Sequence, residues 1–256
     1  MRTNSVKARL KAGQPVFGCF ITVPAPMMVE LCGLVGFDFV VLDAEHAIAD
    51  LETIENMIRA ADATGIVPIV RIAVNQPQII LRYMDAGALG AQLPQINTAA
   101  ETRQVVDAVK YRPLGKRGLA GVRATDYGMR LPYPQYIQQA NEETLVVVHI
   151  ETPEAVAHLE EMVHVPGVDV FFIGPTDLSY SLGFPGEPDH PKVQEVIRRI
   201  VAIVRGAGKV VGTMATDVAG AKRCLDMGIL YLATGDRSLV VSSAQAYLQG
   251  VRGGSG

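Results

Sequence analysis

Short, nearly continuous apolar runs alternate along the chain with longer segments whose apolar residues recur at helical spacing. The runs cover Phe17–Thr22, Asp38–Leu42, Val67–Ile72, Leu89–Pro94, Leu145–Ile150, Val168–Ile173, Lys209–Thr213 and Ile229–Thr234. Continuous rather than alternating hydrophobicity is what a parallel strand covered on both faces requires. Eight such runs, each followed by a helical segment, predict an α/β fold closed as a (β/α)8 barrel rather than an open sheet.

The punctuation agrees. Gly36, Gly65, Gly87, Gly167, Gly208 and Gly228 stand just before six of the runs, where a left-handed residue ends a helix. Helix starts are expected at Asn75 with Pro77, at Thr98 with Glu101, at Thr152 with Pro153, and at Asp50 and Asp217. The segments from Asp85 to Leu89 and from Asp226 to Leu230 resemble two copies of one βα junction. No linker interrupts the pattern, so residues 1–252 are read as one barrel domain. Residues 253–256 are read as a flexible tail or cloning remnant. The irregular stretch from Tyr111 to Glu143, with a short helix near Pro134–Ala140, is the expected place for a lid or a subunit contact.

Composition narrows the function classes. With 49% hydrophobic residues among 256 and a formal charge of −3, a large core is expected. Nucleic acid and anionic membranes are not expected partners. No apolar stretch approaches the length of a membrane span, and the first residues lack the apolar core of a signal peptide. Three cysteines, Cys19, Cys32 and Cys224, fit buried free thiols in a reducing compartment, and a cytoplasmic location is expected.

In a barrel, the residues just after each strand build the site. Strand two is followed by Asp43-Ala44-Glu45-His46, strand three closes on Arg71, strand four on Gln92, strand five gives His149 and Glu151, and strand six leads into Gly174-Pro175-Thr176-Asp177. Glu151 and Asp177, from adjacent strands, suit a hard divalent cation and leave positions open for substrate. Arg71, set in an apolar strand, calls for an anion, either an enolate or carboxylate or a structural partner such as Asp43 or Glu151. Asp43 and His46 are close enough for an acid–imidazole dyad; the alternative is that Asp43 caps a turn and His46 lies on the surface. Glu151 could complement a helix start and Asp177 could cap one. A Schiff-base aldolase is disfavoured: of seven lysines only Lys209 is near a strand, at the wrong end. Gly235-Asp236 occupies a common phosphate position, but an acid there argues against phosphate.

These residues resemble the HpcH/HpaI aldolase family over nearly the whole chain. The similarity is carried by Leu42-Asp43-Ala44-Glu45-His46, Val70-Arg71-Ile72, Met84-Asp85-Ala86-Gly87-Ala88, Gly115-Lys116-Arg117-Gly118, Ile150-Glu151-Thr152 and Ile173-Gly174-Pro175-Thr176-Asp177-Leu178-Ser179. The resemblance implies a class II aldolase that reversibly cleaves 4-hydroxy-2-oxo acids into pyruvate and an aldehyde. It implies Mg²⁺ or Mn²⁺, with Co²⁺ an option, on Glu151 and Asp177. Substrate would contact Arg71, His149, Gly174, Pro175 and the backbone amides of Thr176 and Asp177. Arg71 would stabilise the enolate, His46 supported by Asp43 would move the proton, and Asp85 would raise the basicity of the histidine. A hexamer built as a trimer of dimers is implied. Acyl-CoA lyase, oxaloacetate decarboxylase and a catalytically silent binding barrel are the alternatives. Two departures are visible: His149 stands where relatives carry glutamine, and Phe20 where they carry tryptophan.

Overall fold

The computed structural model describes residues 2–253. Eight parallel strands close a barrel in sequence order. They are β1 (Val16–Ile21), β2 (Phe39–Asp43), β3 (Val67–Arg71), β4 (Gly90–Leu93), β5 (Leu145–Ile150), β6 (Val170–Ile173), β7 (Val210–Met214) and β8 (Tyr231–Gly235). All eight expected strands are present. Several begin one or two residues later than the apolar runs, because Asp38, Val168, Lys209 and Ile229 belong to the turns that feed them.

Twelve helices accompany the strands among the described residues. α1 (Ser5–Lys11) precedes the barrel, and α2 (Pro26–Val35), α3 (Leu51–Thr64), α4 (Pro77–Asp85) and α5 (Ala99–Val109) follow β1 to β4. A 3-10 segment (Arg123–Gly128) and α6 (Tyr133–Glu143) fill the long β4–β5 connection. Then come α7 (Pro153–Ala157), α8 (Leu159–Met162), α9 (Pro175–Ser181), α10 (Pro191–Gly206), α11 (Val218–Asp226) and α12 (Asp236–Gly253). Of the tail expected from residue 253, Gly253 ends α12 and residues 254–256 lie outside the described residues.

The caps follow sequence chemistry. Thr98 and Glu101 form a reciprocal capping box, and Asp50, Thr152 and Asp217 each accept a backbone N–H of their own first turn. The exception is Asn75, because Gln76 takes the cap position before Pro77 and the Asn75 side chain reaches the Glu101 carbonyl instead. Gly36 and Gly65 close α2 and α3 at φ 103° and 79°, a left-handed conformation that costs a residue with a Cβ roughly 1 kcal/mol or more.

Two apolar layers result. One lies between strands and helices and includes Val40, Leu42, Val70, Ile72, Val146 and Val148. The other fills the barrel with Phe20, Phe39, Val41, Val67, Ile69, Val147, Val170, Phe172 and Tyr231. Packing inside is tight: a Cβ on Gly18 would stand 2.2 Å from the Phe39 ring, which is itself stacked on Tyr231 at 4.3 Å. Helix α1, which no local pattern announces, stoppers the N-terminal end by inserting Val6 and Leu10 into the interior layer. Lys7 fastens it there, donating to the Thr144 carbonyl at 2.7 Å and pairing with Asp169. That leaves the C-terminal mouth as the open end.

Candidate active site

Alternation along each strand decides which side chains reach the mouth. Phe39 and Val41 point inward, so Asp43 does; Val67 and Ile69 point inward, so Arg71 does; Leu145 and Val147 point inward, so His149 does. The β2–β3 register sets Asp43 opposite Arg71. Their side chains meet as a bidentate pair, with Arg71 Nε on Asp43 Oδ1 at 2.9 Å and Nη2 on Oδ2 at 2.6 Å. Glu45 adds a second acid at 3.3 Å, and Phe20 lies under the guanidinium at 5.0 Å.

Asp43 is fully buried. Burial alone would raise its pKa, but hydrogen bonds and charge from Arg71, with the amides of Glu45 and His46, hold it below the usual carboxylate value. The expected Asp43–His46 dyad is therefore not formed. Asp43 accepts the backbone N–H of His46 at 3.2 Å, while the imidazole is exposed at the mouth, with Nε2 3.8 Å from Glu45. Proximity in sequence produced an Asx-type turn instead.

Glu151 follows β5 and is 3% exposed. One oxygen accepts the Gln95 amide at 2.7 Å; the other accepts from His149 Nδ1 at 2.9 Å. Gln95 stands at φ 56°, an unusual conformation for a residue with a Cβ, and that twist presents its N–H to the carboxylate. Burial pushes the Glu151 pKa up, but the His149 hydrogen bond and the Gln95 amide bring it below its ordinary value.

Deeper in, Tyr231 donates to Gln92 Oε1 at 3.2 Å, and the Gln92 amide nitrogen lies 2.8 Å from His149 Nε2. With the amide donating there, Nε2 must accept, so Nδ1 carries the proton given to Glu151. His149 is 2% exposed and stacks on Phe172 at 4.8 Å. In this structure both ring nitrogens are occupied, and the ring aims Glu151.

Gly174 accounts for the room beside that carboxylate. A Cβ there would stand 2.6 Å from Glu151 Oε2. Immediately after it α9 begins, with Pro175 at its start, no side-chain cap, and Asp177 exposed in the first turn. The bare β6–α9 junction thus brings Asp177 and unpaired first-turn N–H groups to the Glu151 side of the mouth.

A cavity of about 380 Å³ opens above these groups, lined among others by Phe20, His46, Arg71, Gly174, Pro175, Thr176, Asp177, Met214 and Arg237. Of the expected site residues it collects His46, Arg71, Gly174, Pro175, Thr176 and Asp177, whereas Asp43, His149 and Glu151 are not part of its lining. Asp85 lies apart. As the last residue of α4 it lies toward the opposite face of the barrel, where it pairs with Arg117 at 2.7 Å. Four groups were missed by sequence reasoning. Glu45 and Gln92 were visible as polar positions at strand ends, but the roles of the Gln95 amide and Arg237 depend on backbone twist and on the entry of α12. The objection to anions at Gly235-Asp236 also lifts. Asp236 is buried, and its oxygens are taken by the Thr22 amide and hydroxyl and the Val23 amide at 2.7–2.8 Å.

Could the mouth hold the divalent cation that the resemblance implies? The donors fit: oxygen only, two carboxylates, one deprotonated by its surroundings, and a side-chain-free position beside it. Among the described residues no group of three or more His, Cys, Asp or Glu gathers as a full cage, so a cation here would rely on substrate and water for its remaining ligands.

Comparison with known proteins places this arrangement in a lineage. The sequence profile of the HpcH/HpaI aldolase/citrate lyase family matches residues 16–244. A 4-hydroxy-2-oxo-heptane-1,7-dioate aldolase of Escherichia coli is 37% identical over 246 residues, 95% of this chain and 93% of its own. Among solved structures, an HpcH/HpaI aldolase/citrate lyase family protein from Burkholderia cenocepacia superposes with a TM-score of 0.92 at 33% identity, covering 98% of this chain and 100% of its own. An HpcH/HpaI aldolase from Desulfitobacterium hafniense gives 0.92 at 29%, covering 98% and 97%. The chain belongs to the HpcH/HpaI aldolase/citrate lyase family and is a carbon–carbon lyase.

Proposed function

We propose that this chain is a class II pyruvate aldolase that reversibly cleaves 4-hydroxy-2-oxo acids to pyruvate and an aldehyde. The observation that carries the reading is Glu151. It is a buried, ionised carboxylate with one oxygen against the side-chain-free Gly174, at the head of the helix that carries Asp177. Glu151 and Asp177 would hold Mg²⁺, Mn²⁺ or Co²⁺, which when bound supplies Lewis-acid polarisation of the 2-oxo group.

The protein's own groups perform the rest. The N–H groups of Thr176 and Asp177, reached past Gly174 and Pro175, receive the pyruvyl carboxylate. His46 accepts the proton of the C4 hydroxyl, the C3–C4 bond breaks, and its electron pair passes into the 2-oxo group. Arg71, held in one orientation by Asp43 and Glu45, stands beside the developing enolate oxygen. A charge fixed before reaction costs no reorganisation when the enolate forms. In condensation the same residues act in reverse, and His46 returns the proton to the new alkoxide.

A homo-oligomer, a hexamer in the family manner, is part of the reading. α11 buries no residue, and α12 buries only Asp236 while exposing Val240, Val241, Tyr247 and Val251. Such faces suit a second copy of the chain. Asp85 can serve His46 only across a subunit boundary. A cytoplasmic setting is proposed as well; among the described residues no helix is long and apolar enough to cross a membrane.

The test is metal removal. After stripping with a chelator, condensation of pyruvate with an aldehyde, read by product mass, is expected to vanish and to return with Mn²⁺ or Mg²⁺. Undiminished turnover by rigorously metal-free protein would contradict the proposal.

A further inference from the structure

We infer that Arg237 is a specificity-determining residue that binds an anionic group, carboxylate or phosphate, at the far end of the aldehyde fragment. This rests on the aldolase reading. Around the closed barrel, the ends of β2 and β3 carry Asp43 and Arg71, and those of β5 and β6 lead to Glu151 and Asp177. The remaining sector, from β7 through β8 to β1, supplies Met214, Arg237 and Phe20 to the same cavity. The fragment that departs from the 2-oxo acid end has that sector to occupy.

Charge distinguishes the two guanidiniums there. Arg71 already faces both Asp43 and Glu45. Arg237 is exposed and, among the described residues, has no ion-pair partner, so its charge is the uncompensated one in the cavity wall. The adjacent acid does not neutralise it through its side chain, because Asp236 is committed to Thr22 and Val23 and to the Arg237 backbone N–H at 2.7 Å. Those bonds pin the first turn of α12 to the β1–α2 loop, which fixes where the Arg237 side chain starts. A guanidinium offers either anion a planar pair of donors. Apolar Phe20, Phe172 and Met214 line the space between, suiting a short carbon chain.

The experiment uses the Mn²⁺-loaded full chain with pyruvate and matched acceptors: 4-oxobutanoate against butanal, and glyceraldehyde 3-phosphate against glyceraldehyde. For Arg237→Gln, kcat/KM is expected to fall about 10–100-fold for at least one anionic acceptor and to stay within about twofold for its neutral match. Arg237→Lys should recover much of that loss, and the anionic acceptor with the larger loss identifies the group bound. Equal losses on charged and neutral acceptors, or no loss on either anion, would overturn the assignment. If the unaltered enzyme turns over neither kind, the aldolase reading fails and this inference with it. Turnover of neutral acceptors with an unmoved charged-to-neutral ratio sinks Arg237 alone.

Discussion

Glu151→Gln is expected to lower turnover by about 10³-fold or more while leaving the fold in place. Glutamine has nearly the same shape and can still accept the Gln95 amide, so that anchor survives. Two things are lost. The formal charge that a cation needs is gone, and the amide, if it turns its nitrogen to His149, opposes the Nδ1 proton now given to Glu151 Oε2 at 2.9 Å. The effect should appear in kcat and as a weakened metal titration, with the thermal unfolding temperature changed by only a few degrees. Near-normal turnover would show that this carboxylate does not hold the reaction's cation.

Arg71→Lys is expected to cost about 10²–10³-fold in kcat, and Arg71→Met that and stability besides. Lysine keeps the charge but cannot span both Asp43 oxygens, now met at 2.9 and 2.6 Å, or reproduce the contact over Phe20. The cation would wander relative to the enolate oxygen, and fixed orientation is the source of its benefit. Methionine leaves Asp43 buried without its cation, a change of roughly 3–5 kcal/mol for breaking such a pair, read by denaturant titration. The sign with pH is set by Asp43, whose folded pKa lies below the ordinary aspartate value of about 3.9. The pair therefore contributes stability above about that pH and loses it as pH falls through the folded pKa. The Arg71→Met protein should show a shallower acid dependence than the parent.

The architecture was legible because its signals are local. Buried parallel strands must be apolar throughout, and helices re-entering the sheet end on glycine, as Gly36 and Gly65 do. Helix α1 was not legible: seven residues with two inserted apolar side chains look like any exposed turn until the barrel exists for them to close. The site was legible as a set of polar strand ends but not as a set of partners. Spacing offers Asp43 two partners, its sequence neighbour His46 and, across the mouth, Arg71. The β2–β3 register pairs it with Arg71, 28 residues away. Likewise the Tyr231–Gln92–His149 chain, drawn from three strands, turns His149 toward Glu151, a link that no local spacing announces. Asp85 adds a third case: its place at the C-terminal end of α4, beside Arg117, depends on the direction of the helix, which a motif does not carry.

The most direct test is a crystal structure of the chain with Mn²⁺ and pyruvate, with the ion located by its anomalous signal. The expected density is one ion bonded to both Glu151 and Asp177, with pyruvate completing its shell and Arg71 beside the 2-oxo oxygen. An ion bound elsewhere, or the two carboxylates turned away from a common centre, would contradict the account.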